Sequence, residues 1–330
     1  MTRLPQIGFR VVGTARTRRI VVDHAAAFAG YAACDPRAGI DREGYLSAFR
    51  FTSAFRAYFA ANGQSERAFH GVCWADWLWL DVDRNDLGRA LDDARRLAAT
   101  ILDRYRDLDD GDLLAFYSGS KGFHLGIPTS PWRPAPDERF HLYARRLCER
   151  IAELAGVQID AGVYTLTRLF RAPNTRHPKT GWHKRRLDLD ALMLLNLDGI
   201  QRLADRPEPF DLPAPTAISE QAAADWLDAT AWVRQQAEEK ADRRVAALNG
   251  TPTLNRLTLD FIRDGAAQGD RHWFLFSAAA NLAEFGCPPA LAHALLTHAG
   301  LDAGLAPSDV RRQIDCGLAH ADKQRGGAGS

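Results

Sequence analysis

The segment Trp77-Leu78-Trp79-Leu80-Asp81-Val82-Asp83 constrains this chain more than any other. It has the length and the aromatic and apolar content of a buried strand, with no Gly or Pro to interrupt it. Successive side chains of an extended strand alternate faces. Leu78, Leu80 and Val82 therefore share one face, and Trp77, Trp79, Asp81 and Asp83 share the other. The strand ends in two neighbouring carboxylates. Like charges that close are unfavourable unless a cation neutralises them, and hard oxygen ligands suit Mg²⁺ or Mn²⁺. An Asp-x-Asp pair is also common in solvated surface turns, so this pair alone leaves both readings open.

The flanking sequence predicts the elements around that strand. Leu87, Ala90, Ala94, Leu97, Ile101 and Tyr105 recur at helical spacing between Asp86 and about Arg106. Residues 113–117 and 123–127 read as a hairpin about a Gly-rich turn, closed by Pro128. A helix over 137–155 stops at Gly156, before a short strand Val157–Asp160. Two further short strands bracket a basic turn from Arg171 to Trp182. Residues 1 to about 65 mix short strands with helix, with Tyr45, Phe49, Phe51, Phe55 and Phe59 in apolar periodicity, and are expected to form a layer packed on the catalytic sheet, their short strands completing it.

Four prolines, Pro207, Pro209, Pro213 and Pro215, exclude helix and central strand between Asp205 and Ser219. The expected organisation is a catalytic domain over 1–205, a Pro-rich linker over 206–218, a helical domain over 219–323 N-capped by Ser219, and a disordered tail over 324–330.

At 330 residues the chain has the length of about two domains. No stretch approaches the ~20 apolar residues of a membrane span, and Met-Thr-Arg-Leu-Pro-Gln lacks the apolar core of a signal peptide, so a cytoplasmic protein with no membrane partner is expected. The five cysteines are scattered, which predicts neither disulfides nor structural zinc. A net charge of +1 says nothing global about nucleic acid, so local clustering has to carry that argument. Only five of 42 basic residues are lysines, and three of those, Lys121, Lys179 and Lys184, fall in the two segments considered next.

In Tyr117-Ser118-Gly119-Ser120-Lys121-Gly122-Phe123-His124, the two glycines permit positive φ and close backbone approach. Amides, two hydroxyls, an ammonium and an imidazole can then converge on an anion such as a triphosphate. The loop is not a Walker loop, which needs four residues between its glycines and a helix after them. The plain alternative is a Gly-Ser hairpin turn with an incidental histidine. From Arg168 to Arg186, nine basic or imidazole side chains (Arg168, Arg171, Arg176, His177, Lys179, His183, Lys184, Arg185, Arg186) lie within nineteen residues, interleaved with Phe170 and Trp182. Such a density repels itself unless polyanions neutralise it, and Pro173, Pro178 and Gly181 shape it as a turn. A solvated charged face is the competing reading.

Taken in order, these segments resemble the archaeo-eukaryotic primase superfamily, over roughly residues 70 to 190. Asp81 and Asp83 meet the family's Asp-x-Asp strand; Ser118, Gly119, Gly122 and His124 meet its Ser-Gly-x-x-Gly-x-His loop; His177 to Gly181 meet its His-Pro-Lys-Thr-Gly turn. The resemblance implies that Asp160 is a third metal-binding acid, with Asp188 or Asp190 as substitutes, and that Asp81, Asp83 and Asp160 are catalytic and hold two Mg²⁺ or Mn²⁺ ions. It further implies that Ser118, Ser120, Lys121 and His124 bind the nucleotide, completed by Arg171, His177 and Lys179. The chain departs from many relatives in having Ser120 where they carry Arg, and the 36 positions between His124 and Asp160 are too few for a zinc-binding insertion.

The implied fold is α/β (α+β): a mixed, largely antiparallel sheet bearing the three aspartates on one face, flanked by helices and followed by a helical bundle. The implied function is a DNA-dependent primase or primase-polymerase in replication, transferring NTP or dNTP onto a 3′ hydroxyl. A single-stranded DNA template would stack on Trp79 or Trp182, and a replicative helicase is a candidate partner. An end-joining or repair polymerase shares the same site; a non-catalytic nucleotide sensor and a metal-dependent nuclease are the readings of other classes. In the helical region, Arg271, His272, Arg311 and Arg312 are candidates for nucleic-acid contact, against a bundle with Trp226, Trp232 and Trp273 as core.

Overall fold

The structure is a computed structural model that describes residues 6–249, 254–267 and 269–326. In chain order the elements begin β1 (Ile7–Val12), β2 (Ile20–Asp23), α1 (His24–Ala32), β3 (Gly44–Ser47), β4 (Arg50–Phe51), α2 (Ser53–Ala61), β5 (Cys73–Trp74) and β6 (Trp77–Asp83). They continue with α3 (Leu87–Arg104), β7 (Leu114–Tyr117), β8 (Gly122–Pro128), α4 (Phe140–Ala155), β9 (Leu169–Arg171), β10 (Arg185–Leu187), α5 (Leu189–Leu194) and α6 (Leu197–Leu203). Helices α7 (Glu220–Asn249), α8 (Arg256–Asp264), α9 (Arg271–Glu284), α10 (Pro289–Asp302) and α11 (Pro307–Gly326) complete the described chain. None of these helices is long and apolar enough to cross a membrane.

The fold is α+β, but with two separate antiparallel sheets in place of the single mixed sheet expected. The N-terminal strands build a sheet of their own, ordered β5-β4-β1-β3-β9 with β2 also on β1, and the second sheet runs β10-β7-β8-β6. Every strand pairing is antiparallel. In β6 the predicted alternation holds: Leu78, Leu80 and Val82 are buried on the face toward α3 and α4, while Asp81 and Asp83 stay partly exposed. Helix α3 buries Ala90, Leu91, Ala94, Leu97, Ala98 and Ile101 along one stripe and is N-capped by Asp86, whose carboxylate accepts from the amides of Gly88 and Arg89. Helix α4 ends, as expected, at Gly156 in the left-handed conformation.

Strands β9 and β10, which bracket the basic turn, do not pair with each other. Strand β9 pairs with β3 in the first sheet and β10 with β7 in the second, so the turn carries the chain across. Between them its arms hold together through Asn174 and Thr175, whose backbones bond that of Lys184, and through an Arg176–His183 bridge. The space between the sheets is filled by rings: Trp79 lies 5.3 Å from Phe170, 6.1 Å from Phe116 and 6.2 Å from Phe28. On the far side of the first sheet Phe51 and Phe55 stack at 4.6 Å, with Phe69 edge-on to Phe55 at 5.0 Å.

The Pro-rich stretch is irregular, as its prolines require, but it does not act as a linker. The Phe210 amide donates to the Ala32 carbonyl, its ring packs on Phe116 at 5.5 Å, and Glu208 pairs with Arg185. Ser219 caps α7 through Oγ, and the first turns of that helix stay on the same body: buried Asp225 takes two bonds from Arg104 and one from the Tyr105 hydroxyl, while Trp226 packs on Phe140 at 5.1 Å. The first compact unit therefore runs from Met1 to Ala237, and the boundary expected at 206–218 moves to Ala237/Glu238 within α7. Prolines bar regular hydrogen bonding; they do not prevent packing.

The second unit, Glu238–Ser330, has a helical core of Phe261, Leu275, Leu282, Leu296, Val310 and Ile314. The tryptophans assigned to a bundle core are elsewhere: Trp226 belongs to the first unit's core, Trp232 is 44 % exposed and Trp273 is 58 % exposed. Arg271 donates to the Ala303 and Gly304 carbonyls and Arg312 pairs with Asp309, so both are engaged within the unit. Helix α11 reaches Gly326; the rest of the expected tail, 327–330, lies outside the described residues.

Candidate active site

Asp81 and Asp83 end β6, and the β6–β8 register sets Asp81 opposite His124 and Asp83 opposite Gly122. Glycine at 122 is a steric requirement, because a Cβ there would overlap the Val82 carbonyl oxygen and the Asp83 carboxylate. The turn between β7 and β8 then folds back on itself. The Ser118 amide donates to the Gly122 carbonyl, the Gly122 amide donates to Ser118 Oγ, and the Tyr117 hydroxyl donates to the Ser120 carbonyl. Gly119 takes φ +82°, and the Thr180 hydroxyl from the basic turn donates to its carbonyl at 2.6 Å. The loop and the basic turn are thus fastened together beside the carboxylates.

An open cleft with about 620 Å³ of empty space gathers Asp81, Asp83, Ser118, Ser120, Lys121, His124, Arg171 and His177. Arg168, Phe170 and Tyr45 also line it, Tyr45 arriving from β3. Lys121 Nζ stands 2.9 Å from Asp83 Oδ2, which raises the lysine's pKa. Asp81 is largely buried and its carboxyl is pushed up to about 7, first by burial and then by the charges of Asp83 and Asp160. Its Oδ1 is buried with no hydrogen-bond partner; His124 Nε2 lies 3.4 Å away without the alignment of a bond. His124 is 6 % exposed, its ring 4.4 Å from that of Phe170, and its pKa is driven well below the usual value by burial and then by Lys184 and Arg171. The imidazole is therefore neutral.

Asp160 does not end a strand. The residues before it form no strand, its side chain N-caps a short 3-10 turn over Ala161–Tyr164 by accepting from the Gly162 amide at 2.8 Å, and Arg168 Nη2 lies 3.7 Å from its other oxygen. Its backbone amide nonetheless donates to the Asp81 carbonyl at 2.9 Å, which fixes it beside the pair. Asp188, the alternative third acid, N-caps α5, and Asp190 is exposed in its first turn. None of the three lines the cleft, but only Asp160 is bonded to the backbone of Asp81.

The basic turn divides into two halves with different fates. Arg171 and His177 face the cleft, and Lys179 is exposed just outside it. Lys184 is fully buried: its Nζ donates to the Arg171 carbonyl at 2.8 Å and sits 4.4, 4.8 and 5.0 Å from the ring centroids of Phe170, Phe116 and Trp79. Arg185 is buried against Glu208, and Arg186 donates to the Leu113 carbonyl at 2.7 Å. Lys184 thus ties the second sheet to β9 of the first, Arg185 ties it to the Pro-rich stretch, and Arg186 stays within its own sheet, partly buried; none of the three lines the cleft. Trp79, expected to stack on a template, is 7 % exposed in the same core, and Trp182 is partly buried against Tyr117.

Two residues that support Arg171 were not among the site residues expected from the sequence: Tyr45, expected only as an apolar position, and Glu43. Tyr45 stacks under Arg171, with the guanidinium carbon 5.3 Å from its ring centroid, and donates from its hydroxyl to Glu43. Glu43 in turn lies 3.7 Å from Arg171 Nη2. Only the β3–β9 pairing brings them together, across 126 residues of chain.

The donor set suits a hard divalent cation. Asp81 has an orphaned buried carboxylate oxygen and a carboxyl whose charge is disfavoured by burial and then by two neighbouring acids, which describes a place short of positive charge. Asp81 and Asp83 would hold the ion, with Asp160 alongside once released from Gly162. Among the described residues no three His, Cys, Asp or Glu side chains already converge into a closed cage. Compared with protein-family models, with characterised proteins and with solved structures, the chain matches none.

Proposed function

We propose that this chain has the primase-polymerase catalytic fold of the archaeo-eukaryotic primase superfamily and is a template-dependent nucleotidyl transferase, a DNA primase or primase-polymerase. The observation that carries the reading is the convergence, in one cleft, of two strand-end carboxylates with the hydroxyls, lysine, imidazoles and arginine of three separate segments. Fold alone would not support it; a site with separate provisions for metal and for polyphosphate does.

In this reading Ser120, Lys121, Arg171 and His177 receive the triphosphate of an incoming NTP or dNTP, opposing its charge with two cations and orienting it through polar hydrogens. Asp81 and Asp83, with Asp160, hold Mg²⁺ or Mn²⁺, which supplies charge neutralisation for an in-line displacement at the α-phosphorus. Neutral His124 buttresses Asp81 from the cleft floor. Tyr45 and Glu43 hold Arg171 in place from the neighbouring sheet. The 3′ hydroxyl oxygen bonds to the α-phosphorus as the bond to the β-phosphate oxygen breaks and pyrophosphate leaves.

The test combines the protein with a single-stranded DNA template, Mn²⁺ and labelled nucleotides, supplying ribo- and deoxyribonucleotides separately, with and without a primer. Extension products from the wild type and none from Asp81→Ala are expected. No product from the wild type, or equal product from both proteins, overturns the reading; loss of template without nucleotides identifies a nuclease.

A further inference from the structure

The hairpin joining β1 to β2 contributes nothing to the cleft, yet it carries three arginines within four residues. Its tip reads Gly13-Thr-Ala-Arg-Thr-Arg-Arg19, and Arg16 and Arg18 are exposed with no carboxylate partner among the described residues. Arg19 differs, being paired with Glu66 at 2.6 Å. Behind the tip lies a surface groove whose floor includes Ile20, Val21 and Phe59 and whose walls carry Arg18 and Arg56. Ile20 is 47 % exposed there, and Arg56 is exposed with no ion-pair partner among the described residues.

The hairpin is tied to the mouth of the candidate active site. Val11 pairs with Tyr45, the Gly13 amide donates to the Glu43 carbonyl at 2.6 Å, and Tyr45 pairs with Arg171. Two strand spacings, about 10 Å, therefore separate β1 from β9. The Arg176 amide donates to the Ile40 and Arg42 carbonyls, so exposed Arg42 lies between the hairpin tip and the basic turn. Basic side chains thus run from the groove, over Arg18 and Arg16, past Arg42, which is paired with Asp41, to Arg176 and Lys179 just outside the cleft.

We propose that this groove and hairpin hold a single-stranded nucleic acid beside the nucleotide cleft, an assignment that rests on the transferase reading above. Unpaired arginines oppose phosphates, and an apolar floor between arginine walls accepts the faces of unstacked bases, which a duplex keeps covered.

The experiment measures binding of a fluorescein-labelled 25-nucleotide oligothymidylate by anisotropy against salt, for the wild type and for the triple variant Arg16→Ala/Arg18→Ala/Arg56→Ala. Three lost phosphate contacts at ~0.7 each should lower the slope of log K against log salt by about 2 and weaken binding about 30- to 100-fold near 0.1 M salt. The triple Arg→Lys variant should restore most of the affinity, since point charges suffice, and all three proteins should melt together. Oligouridylate and duplex competitors identify the strand: competition by either single strand supports the proposal, and a duplex that competes equally well overturns it. Wild-type affinity and slope in the triple Ala variant also overturn it. Mn²⁺-dependent nucleoside triphosphate binding, followed by calorimetry, should be unchanged in the triple variant. Absence of that binding in the wild type, or its persistence in Asp81→Ala, defeats the transferase reading and leaves the hairpin result standing by itself.

Discussion

Replacing Asp81 by asparagine should make the metal-free protein more stable while abolishing the transferase activity proposed for it. The carboxyl titrates at about 7 in the fold, against 3.8 for an ordinary aspartate, because it is buried beside Asp83 and Asp160. Folded protein therefore binds this proton more tightly than unfolded chain does. Asp81 imposes no penalty below the unfolded value, and stability is lost as pH rises from about 4 through 7. At about 1.4 kcal/mol per pH unit, the charged group costs up to roughly 4 kcal/mol above pH 7. An amide of the same shape escapes the charge but keeps part of the desolvation, so a gain of about 2 kcal/mol is expected, or about 4–8 °C in Tm for a body of this size. Scanning calorimetry with EDTA at pH 8 and at pH 5 measures it: the gain should appear at pH 8 and shrink at pH 5. Millimolar Mn²⁺ should then raise the wild-type Tm and leave Asp81→Asn unmoved. A variant that melts below the wild type at pH 8, or that responds to Mn²⁺ as the wild type does, would refute this account of the site as a locus of uncompensated charge.

Three further outcomes follow from packing and protonation. Gly122→Ala sets a methyl group against the Val82 carbonyl and the Asp83 carboxylate, so β6 and β8 must part; a loss of at least about 2 kcal/mol in denaturant unfolding, with loss of nucleotide binding, is expected, and wild-type values for both would count against the register. Asp225→Ala strips Arg104 and Tyr105 of a buried acceptor and should cost about 3 kcal/mol, with earlier tryptic cleavage at Arg234, the first basic residue of α7. His24 accepts from Arg50 Nε at Nδ1 and bonds the Ser47 carbonyl through Nε2, an arrangement that only the neutral ring satisfies, and burial, then Arg50, lower its pKa to about 4. The unfolded chain takes up that proton first, so stability is intact above about 6.5 and falls as pH drops toward 4. His24→Gln should flatten the profile of unfolding free energy against pH in that window by about 1–2 kcal/mol, a figure discounted for the ring's partial exposure and measured by denaturant unfolding.

Local periodicity made much of the second sheet legible. The alternation of β6, the apolar stripe of α3, the β7–β8 hairpin and the Gly156 stop all depend on contacts within a few residues, where side-chain spacing dictates geometry. The clustering of Asp81, Asp83, Lys121 and His124 follows from the same cause, since one hairpin and its neighbouring strand carry all four. Charge density misled where it could not report burial: Lys184 and Arg185 belong to a basic run that reads as a phosphate surface, but Lys184 is enclosed by rings and Arg185 is buried against Glu208.

What the chain by itself determined, then, is the acidic strand, the glycine-containing turn between β7 and β8 and the helices that back them. Tertiary structure alone decided that there are two sheets, that the basic turn bridges them, that Trp79 is closed to solvent, and that the Pro-rich stretch and the start of α7 belong to the first unit. It also brought Tyr45 and Glu43 to Arg171. The reason is physical: pairing between β3 and β9 is chosen by the surfaces that strands bury against distant partners, and such complementarity leaves no period in either segment.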